Sequence, residues 1–206
     1  GEYPSVEEAE DLAAADFDAE WDRDEVVVDG EDVDELGSSS VRGETKDLVI
    51  ALTGYDRTTL APGINPVGVE RKVVVKPLDS DIVIHGTMDL VHGDPNGDVI
   101  IDKKTGTKAP NKHAADNSQQ FDCYGLLRLA ETQRLPKAYR QDHVYRTPAR
   151  KELKNVLLTT TRTLEDLQTF VRRINTAVLA VELGSFVPAS PHSWKCSLKW
   201  CEFFRD

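Results

Sequence analysis

An α/β domain is the fold class this sequence predicts, and three observations carry it. Strand-like apolar runs alternate with helix-like segments along 206 residues, a length that suits one domain with a sizeable core. Two of those runs, 82–91 and 99–104, flank Asp94-Pro95-Asn96-Gly97, a type I turn signal, and so predict a hairpin. Behind the hairpin, 115–132 places Phe121, Tyr124, Leu127 and Leu129 with Ala130 at helical spacing.

The elements follow in order. Residues 6–22 predict an amphipathic helix with Leu12, Phe17 and Trp21 buried, and 29–40 a polar linker containing Gly and Ser. Residues 41–53 predict a second helix that turns Leu48, Val49 and Leu52 inward. The alternation of Val67, Val69, Val73 and Val75 makes 66–77 a strand. After the hairpin, Asp116 or Asn117 is placed to cap the 115–132 helix. Strands at 141–146 and 155–160 and a closing helix at 163–183 complete the domain. The chain thus divides into an acidic N-terminal helix and linker (1–40), a core (41–185) and a tail (186–206).

Charge is unevenly spread. The formal net charge is −11, yet residues 1–35 hold nearly half of the acidic side chains and a single basic one, Arg23. That stretch is expected to be a solvated helix and loop. From Arg71 onward the chain is close to balanced, with Lys103, Lys104, Lys108, Lys112, Arg128 and Arg134 falling near the hairpin and its following helix. Three cysteines, an odd number, argue against a disulfide framework and for a reducing, cytoplasmic setting. No apolar run is long enough to span a membrane, and no secretory signal is present.

The chemistry concentrates around Asp102-Lys103-Lys104, which closes the apolar run Val99-Ile100-Ile101. One strand period separates Asp102 from Lys104, so both side chains leave the same face. Folding the hairpin symmetrically about Pro95-Asn96 sets Asp89 opposite Asp102; a bulge at Gly97 would slip that pairing by one residue. Two carboxylates meeting there repel, and a bound cation resolves the repulsion. On the following helix Gln120 and Tyr124 are four apart and share a face. A carboxylate pair, an ammonium, an amide and a phenol form a set suited to phosphodiester hydrolysis.

Gly86-x-x-Asp89, Asp102-x-Lys104 with its trailing Thr105-Gly106, and Gln120-x-x-x-Tyr124 together resemble the RecB-like branch of the PD-(D/E)XK nuclease superfamily, over roughly residues 66–147. The resemblance implies a restriction-endonuclease-like core, a central mixed β-sheet flanked by helices. It implies that Asp89 and Asp102 ligate Mg²⁺ or Mn²⁺, with the backbone carbonyl of Lys103 as a further ligand. Lys104 would position water and offset developing charge, and Gln120 and Tyr124 would organise the site. Glu70 falls where such proteins often carry a glutamate. The implied activity is metal-dependent hydrolysis of DNA, most simply by an exonuclease acting on ends or single strands in DNA processing, repair or recombination. A helicase or recombination partner and a bacterial or phage-infected cytoplasm go with it. Members usually bear a metal-binding histidine on an upstream helix, and no such element is legible here. Its absence and the acidic surface support one alternative, a weak or inactive nuclease-fold DNA-binding or scaffolding module; a structure-specific endonuclease that cuts branched or flapped DNA is a further alternative.

The tail holds His192, Trp194, Cys196, Trp200 and Cys201. Some RecB-like nucleases hold an iron–sulfur cluster with one cysteine before the core and three after it, and Cys196 and Cys201 resemble part of that set. Four thiolates are the usual requirement, so a 4Fe-4S cluster would need a longer parent chain. Zinc on His192, Cys196 and Cys201 also lacks a fourth ligand. Cys123 is expected in the core. Gly93-x-x-x-Gly97 lacks the Lys-Ser/Thr of a phosphate loop, and Ser118, His113 and Asp116 do not make a triad by adjacency. His85, His92 and His143 are expected to be ordinary strand or turn residues.

Overall fold

The computed structural model describes residues 4–23, 35–77, 82–146 and 152–185. Two helices, α1 (Val6–Arg23) and α2 (Glu35–Tyr55), come first, and α2 runs into one π-helical turn, Asp56–Leu60. Strands β1 (Pro66–Val75), β2 (Ile84–His92) and β3 (Val99–Gly106) follow, then helix α3 (Gln119–Thr132), strands β4 (Ala138–Tyr145) and β5 (Lys154–Thr160), and helix α4 (Leu164–Glu182). The five strands form one sheet in sequence order. Only β3 and β4, joined through α3, pair in parallel; the other neighbours are antiparallel. The sheet is therefore mixed, as expected.

The hairpin shows how local chemistry sets the register. Gly97 N–H donates to the Asp94 carbonyl at 3.0 Å, and the Asp94 side chain accepts from Asn96 N–H at 2.8 Å. Gly97 has φ +124°, open to glycine at no steric cost. The ladder then runs His92↔Val99, Val91↔Ile100 and Leu90↔Ile101, without a slip. The ladder ends there, one step short of Asp89 and Asp102.

One face of the sheet packs on α3. Met88, Val91, Ile100, Phe121, Leu127 and Tyr139 are fully enclosed, and the Phe121 and Tyr139 rings lie 5.4 Å apart. Each such side chain contributes about 1.5–3 kcal/mol relative to exposure. Helix and sheet approach closely because Gly86 has no side chain: a Cβ there would come within 2.9 Å of Leu127 Cδ1. Cys123 packs against this core, as expected, and burial pushes its thiol up from the ordinary range.

Arg162 clamps the start of α3. Its nearly buried guanidinium pairs with Asp122 and donates to the carbonyls of Ala115, Asp116 and Ser118, while lying 5.8 Å from the Tyr139 ring centre. These bonds tie the β3–α3 loop to the end of β5.

Several expectations need correction. Residues 35–40, expected as linker, are the first turns of α2; residues 29–34 of that linker lie outside the described residues. Helix α3 starts at Gln119 rather than 115, and its cap is Ser118, whose Oγ accepts from Phe121 N–H; Asp116 instead faces His113 at 3.3 Å. Ser118 wins because Arg162 holds the residues before it in a non-helical loop. Leu12 is exposed rather than buried, since α1 packs chiefly on α2 and leaves its remaining surface to solvent. The Trp21 side chain, and the tail with His192, Trp194, Cys196, Trp200 and Cys201, lie outside the described residues.

Candidate active site

Strand β3 is buried through Ile100 and Ile101, and the next core position is Asp102 rather than another hydrophobe. Its side chain is only 1% exposed, whereas that of Lys104 is 38% exposed. The two-residue period puts both on the face that packs on α3. There the Lys104 ammonium donates to Asp102 Oδ1 and to Gln120 Oε1, each at 3.0 Å. Gln120 Nε2 in turn donates to the Tyr124 hydroxyl oxygen at 2.6 Å, across one turn of α3. Burial pushes the Tyr124 phenol up to about 12, so it keeps its proton at neutral pH.

Asp89 approaches from β2. The β2–β3 ladder ends at Leu90↔Ile101, and the Lys103 amide N–H beyond it donates to Asp89 Oδ2 at 2.9 Å. A strand amide that would otherwise continue the sheet thus fixes the second carboxylate. Asp102 Oδ2 is enclosed and has no hydrogen-bond partner among the described residues. Burial raises the Asp102 pKa from its ordinary value; Lys104 and, more weakly, the Gln141 side chain oppose the rise, and the charge of Asp89 adds to it. An orphaned, desolvated carboxylate oxygen beside a second carboxylate is a place that a cation would satisfy.

The Lys103 side chain leaves the opposite face. Its ammonium meets both carboxylate oxygens of Asp56, in the π-helical turn, at 2.7 Å. Asp142, in register with Lys103 on β4, is held by Arg140 at 2.6 and 2.7 Å. These partners anchor the peptide that carries the Lys103 carbonyl.

Gln141 and His143 were not singled out for the site by sequence reasoning, yet they stand in register with Asp102 and Lys104 on β4. Gln141 Oε1 and His143 Nε2 are both enclosed without a partner among the described residues. Burial, with the Lys104 charge, lowers the His143 pKa and keeps the imidazole neutral. Their two-residue spacing was legible; the parallel β3–β4 register that brings them to the site was not. His92 Nδ1 accepts from Asn65 N–H at 2.8 Å, the ordinary turn role expected of it.

Among the described residues no group of three or more His, Cys, Asp and Glu side chains is arranged to hold a metal ion. Asp89 and Asp102 offer two carboxylates, a hard-oxygen donor chemistry. That set suits Mg²⁺ or Mn²⁺, which keep several waters and take substrate oxygens as further ligands.

A mixed sheet whose central parallel pair carries Asp-x-Lys, with a second acid from the adjoining hairpin, defines a nuclease-type architecture. A family model agrees across residues 2–205: the chain belongs to the PD-(D/E)XK nuclease superfamily. Proteins of this superfamily are generally nucleases that use divalent metal ions. Among solved structures, a candidate exonuclease from Eubacterium rectale superposes with a TM-score of 0.51 at 11% identity, over 100% of this chain and 75% of that one. The protein SSO0001 is matched over 93% of this chain and 91% of its own at 18% identity, with a TM-score of 0.44. No curated protein matches the sequence. No helix among the described residues is long and apolar enough to cross a membrane.

Proposed function

We propose that the chain is a metal-dependent deoxyribonuclease of the RecB-like branch, acting as an exonuclease on DNA ends or single strands. The observation that carries this reading is the unpartnered, enclosed Asp102 Oδ2 beside Asp89, with Lys104, Gln120 and Tyr124 linked behind it. Asp89, Asp102 and the Lys103 carbonyl would hold Mg²⁺ or Mn²⁺, which when bound supplies a Lewis acid for the scissile phosphate and lowers the pKa of water. Lys104 holds water in line and offsets charge that develops on the phosphoryl oxygens. Gln120 keeps the ammonium pointed at the site, and the protonated Tyr124 fixes Gln120. Work in DNA processing with a helicase or recombination partner in a bacterial or phage-infected cytoplasm follows from the same reading.

Two rival readings remain, a binding module derived from the nuclease fold and an endonuclease that cuts branched DNA. The net charge of −11 favours the first rival, because DNA affinity rests largely on phosphate neutralisation. Incubating the protein with Mn²⁺ or Mg²⁺ and labelled single- and double-stranded DNA separates the three. Progressive loss of nucleotides from ends, abolished by EDTA, supports the exonuclease. Binding without cleavage in either metal supports the module, and internal cuts confined to branched substrates support the endonuclease.

A further inference from the structure

We infer that Gln141 is a positioning residue of the candidate site: its amide nitrogen donates to the Asp102 carboxylate, and its Oε1 accepts from a water carried by the divalent cation. The inference deepens the nuclease reading and rests on it. Strand β4 runs parallel to β3 and pairs Gln141 with Asp102 directly, so the two side chains leave the same face of the sheet. Two residues earlier on that face, Tyr139 is fully enclosed and packs on Phe121 of α3. On its other side Gln141 pairs with Leu158 of β5, which packs against the same core. An aliphatic side chain would fill this position with no polar group to satisfy. The chain instead puts a carboxamide there, in a residue only 7% exposed.

The orientation of that carboxamide follows from what it does to Asp102. The Gln141 side chain favours the ionised form of the carboxylate, against the larger opposing effect of burial. Only a donor does so, which turns the amide nitrogen toward Asp102. The carbonyl end is left as an acceptor, and Oε1 is enclosed without a partner among the described residues. Asp102 Oδ2, on the neighbouring strand, is in the same condition. Each unpaired acceptor costs stability.

The two acceptors differ in what they need. A bare cation answers the carboxylate and leaves the amide oxygen unpaired; a water alone answers the amide and leaves the charge. A hydrated divalent cation answers both, because ions such as Mg²⁺ keep several of their waters when they bind carboxylates. Groups that hold a metal-ligating side chain raise affinity by orienting it before the ion arrives. His143, two residues further along β4, stands in register with Lys104 rather than Asp102 and has no part in this arrangement.

The test titrates Mn²⁺ into the full chain without DNA and reads the free ion by electron paramagnetic resonance. Gln141→Met keeps the length of the side chain and removes both polar ends. It is expected to weaken Mn²⁺ binding by about tenfold or more, the scale of losing a group that orients a metal ligand. Half-maximal cleavage should need a correspondingly higher Mn²⁺ concentration, with kcat largely recovered once the ion saturates. A second measurement needs no substitution and decides the matter if the variant does not fold. In isotope-labelled wild type, the Gln141 side-chain amide resonance should shift on adding Mg²⁺ and stay in place at the same ionic strength of Na⁺. Equal Mn²⁺ affinity in the two proteins, or an unmoved Gln141 resonance while the Asp102 backbone amide shifts, overturns the inference and leaves the nuclease reading intact. A variant that melts lower in EDTA yet binds Mn²⁺ like the wild type also overturns it, since Gln141 would then serve packing alone. A wild type that takes up no Mn²⁺ by itself but cleaves with it overturns it as well, because no cation site is then organised before DNA arrives. A wild type that neither binds Mn²⁺ nor cleaves removes the nuclease reading along with the inference.

Discussion

Asp102 is a residue whose usefulness and cost have the same origin. A carboxylate with one enclosed oxygen unpaired destabilises the metal-free fold, and its raised pKa records that penalty. The sign follows directly: a carboxyl whose folded pKa lies above its unfolded value opposes folding once pH exceeds the unfolded value of about 4. Asp102→Asn keeps an oxygen for Lys104 and removes the buried charge. It is expected to abolish cleavage while holding or raising metal-free stability by on the order of 1 kcal/mol, read by thermal unfolding at pH 7. A clear fall in melting temperature together with retained cleavage would show that Asp102 is structural. Lys104→Ala should lower kcat by about 10²–10³, the scale of losing one preorganised charge-stabilising donor, with most DNA affinity retained. A change confined to KM in steady-state assays would contradict that role.

At the scale of elements, α3 and α4 depend on their first turns. Thr163 and Asp166 form a capping box: Thr163 N–H donates to Asp166 Oδ2 at 2.7 Å, and Asp166 N–H donates back to Thr163 Oγ1 at 3.2 Å. Those bonds hold the Asp166 carboxyl below its ordinary pKa. A depressed carboxyl stabilises the fold above its unfolded pKa, and the contribution disappears as pH falls through the folded value. Thr163→Ala should cost about 1 kcal/mol at pH 7, and denaturant titrations should find a smaller loss as pH falls through the lowered Asp166 pKa. Helix α3 depends instead on close approach to β2. Gly86→Ala pushes a methyl toward the enclosed Leu127 and should cost about 1–3 kcal/mol in the same assay.

Across the whole molecule, the acidic balance and the basic neighbourhood of the site oppose each other. Under the proposed function, net charge would slow the approach of DNA and local cations would set the contacts once it arrives. Lys108 and Lys112 are exposed on the β3–α3 loop, which Arg162 holds in place. Replacing both with Ala should weaken binding to all sequences alike and flatten the plot of log affinity against log salt by about two units of slope. An unchanged slope would place the DNA path elsewhere.

The local features were legible because their causes are local. Turn chemistry at Asp94–Gly97 sets the hairpin register, strand period puts Asp102 and Lys104 on one face, and helix period puts Gln120 beside Tyr124. The family motif spacing carried the mixed-sheet architecture, which propensity alone does not contain. The long-range arrangements were not legible. The parallel β3–β4 register delivers Gln141 and His143 to the site, the end of α2 delivers Asp56 to Lys103, and Arg162 shifts the α3 cap to Ser118. Each depends on which surfaces bury best against one another, an energy shared among residues far apart in the chain and fixed by the packed tertiary structure alone.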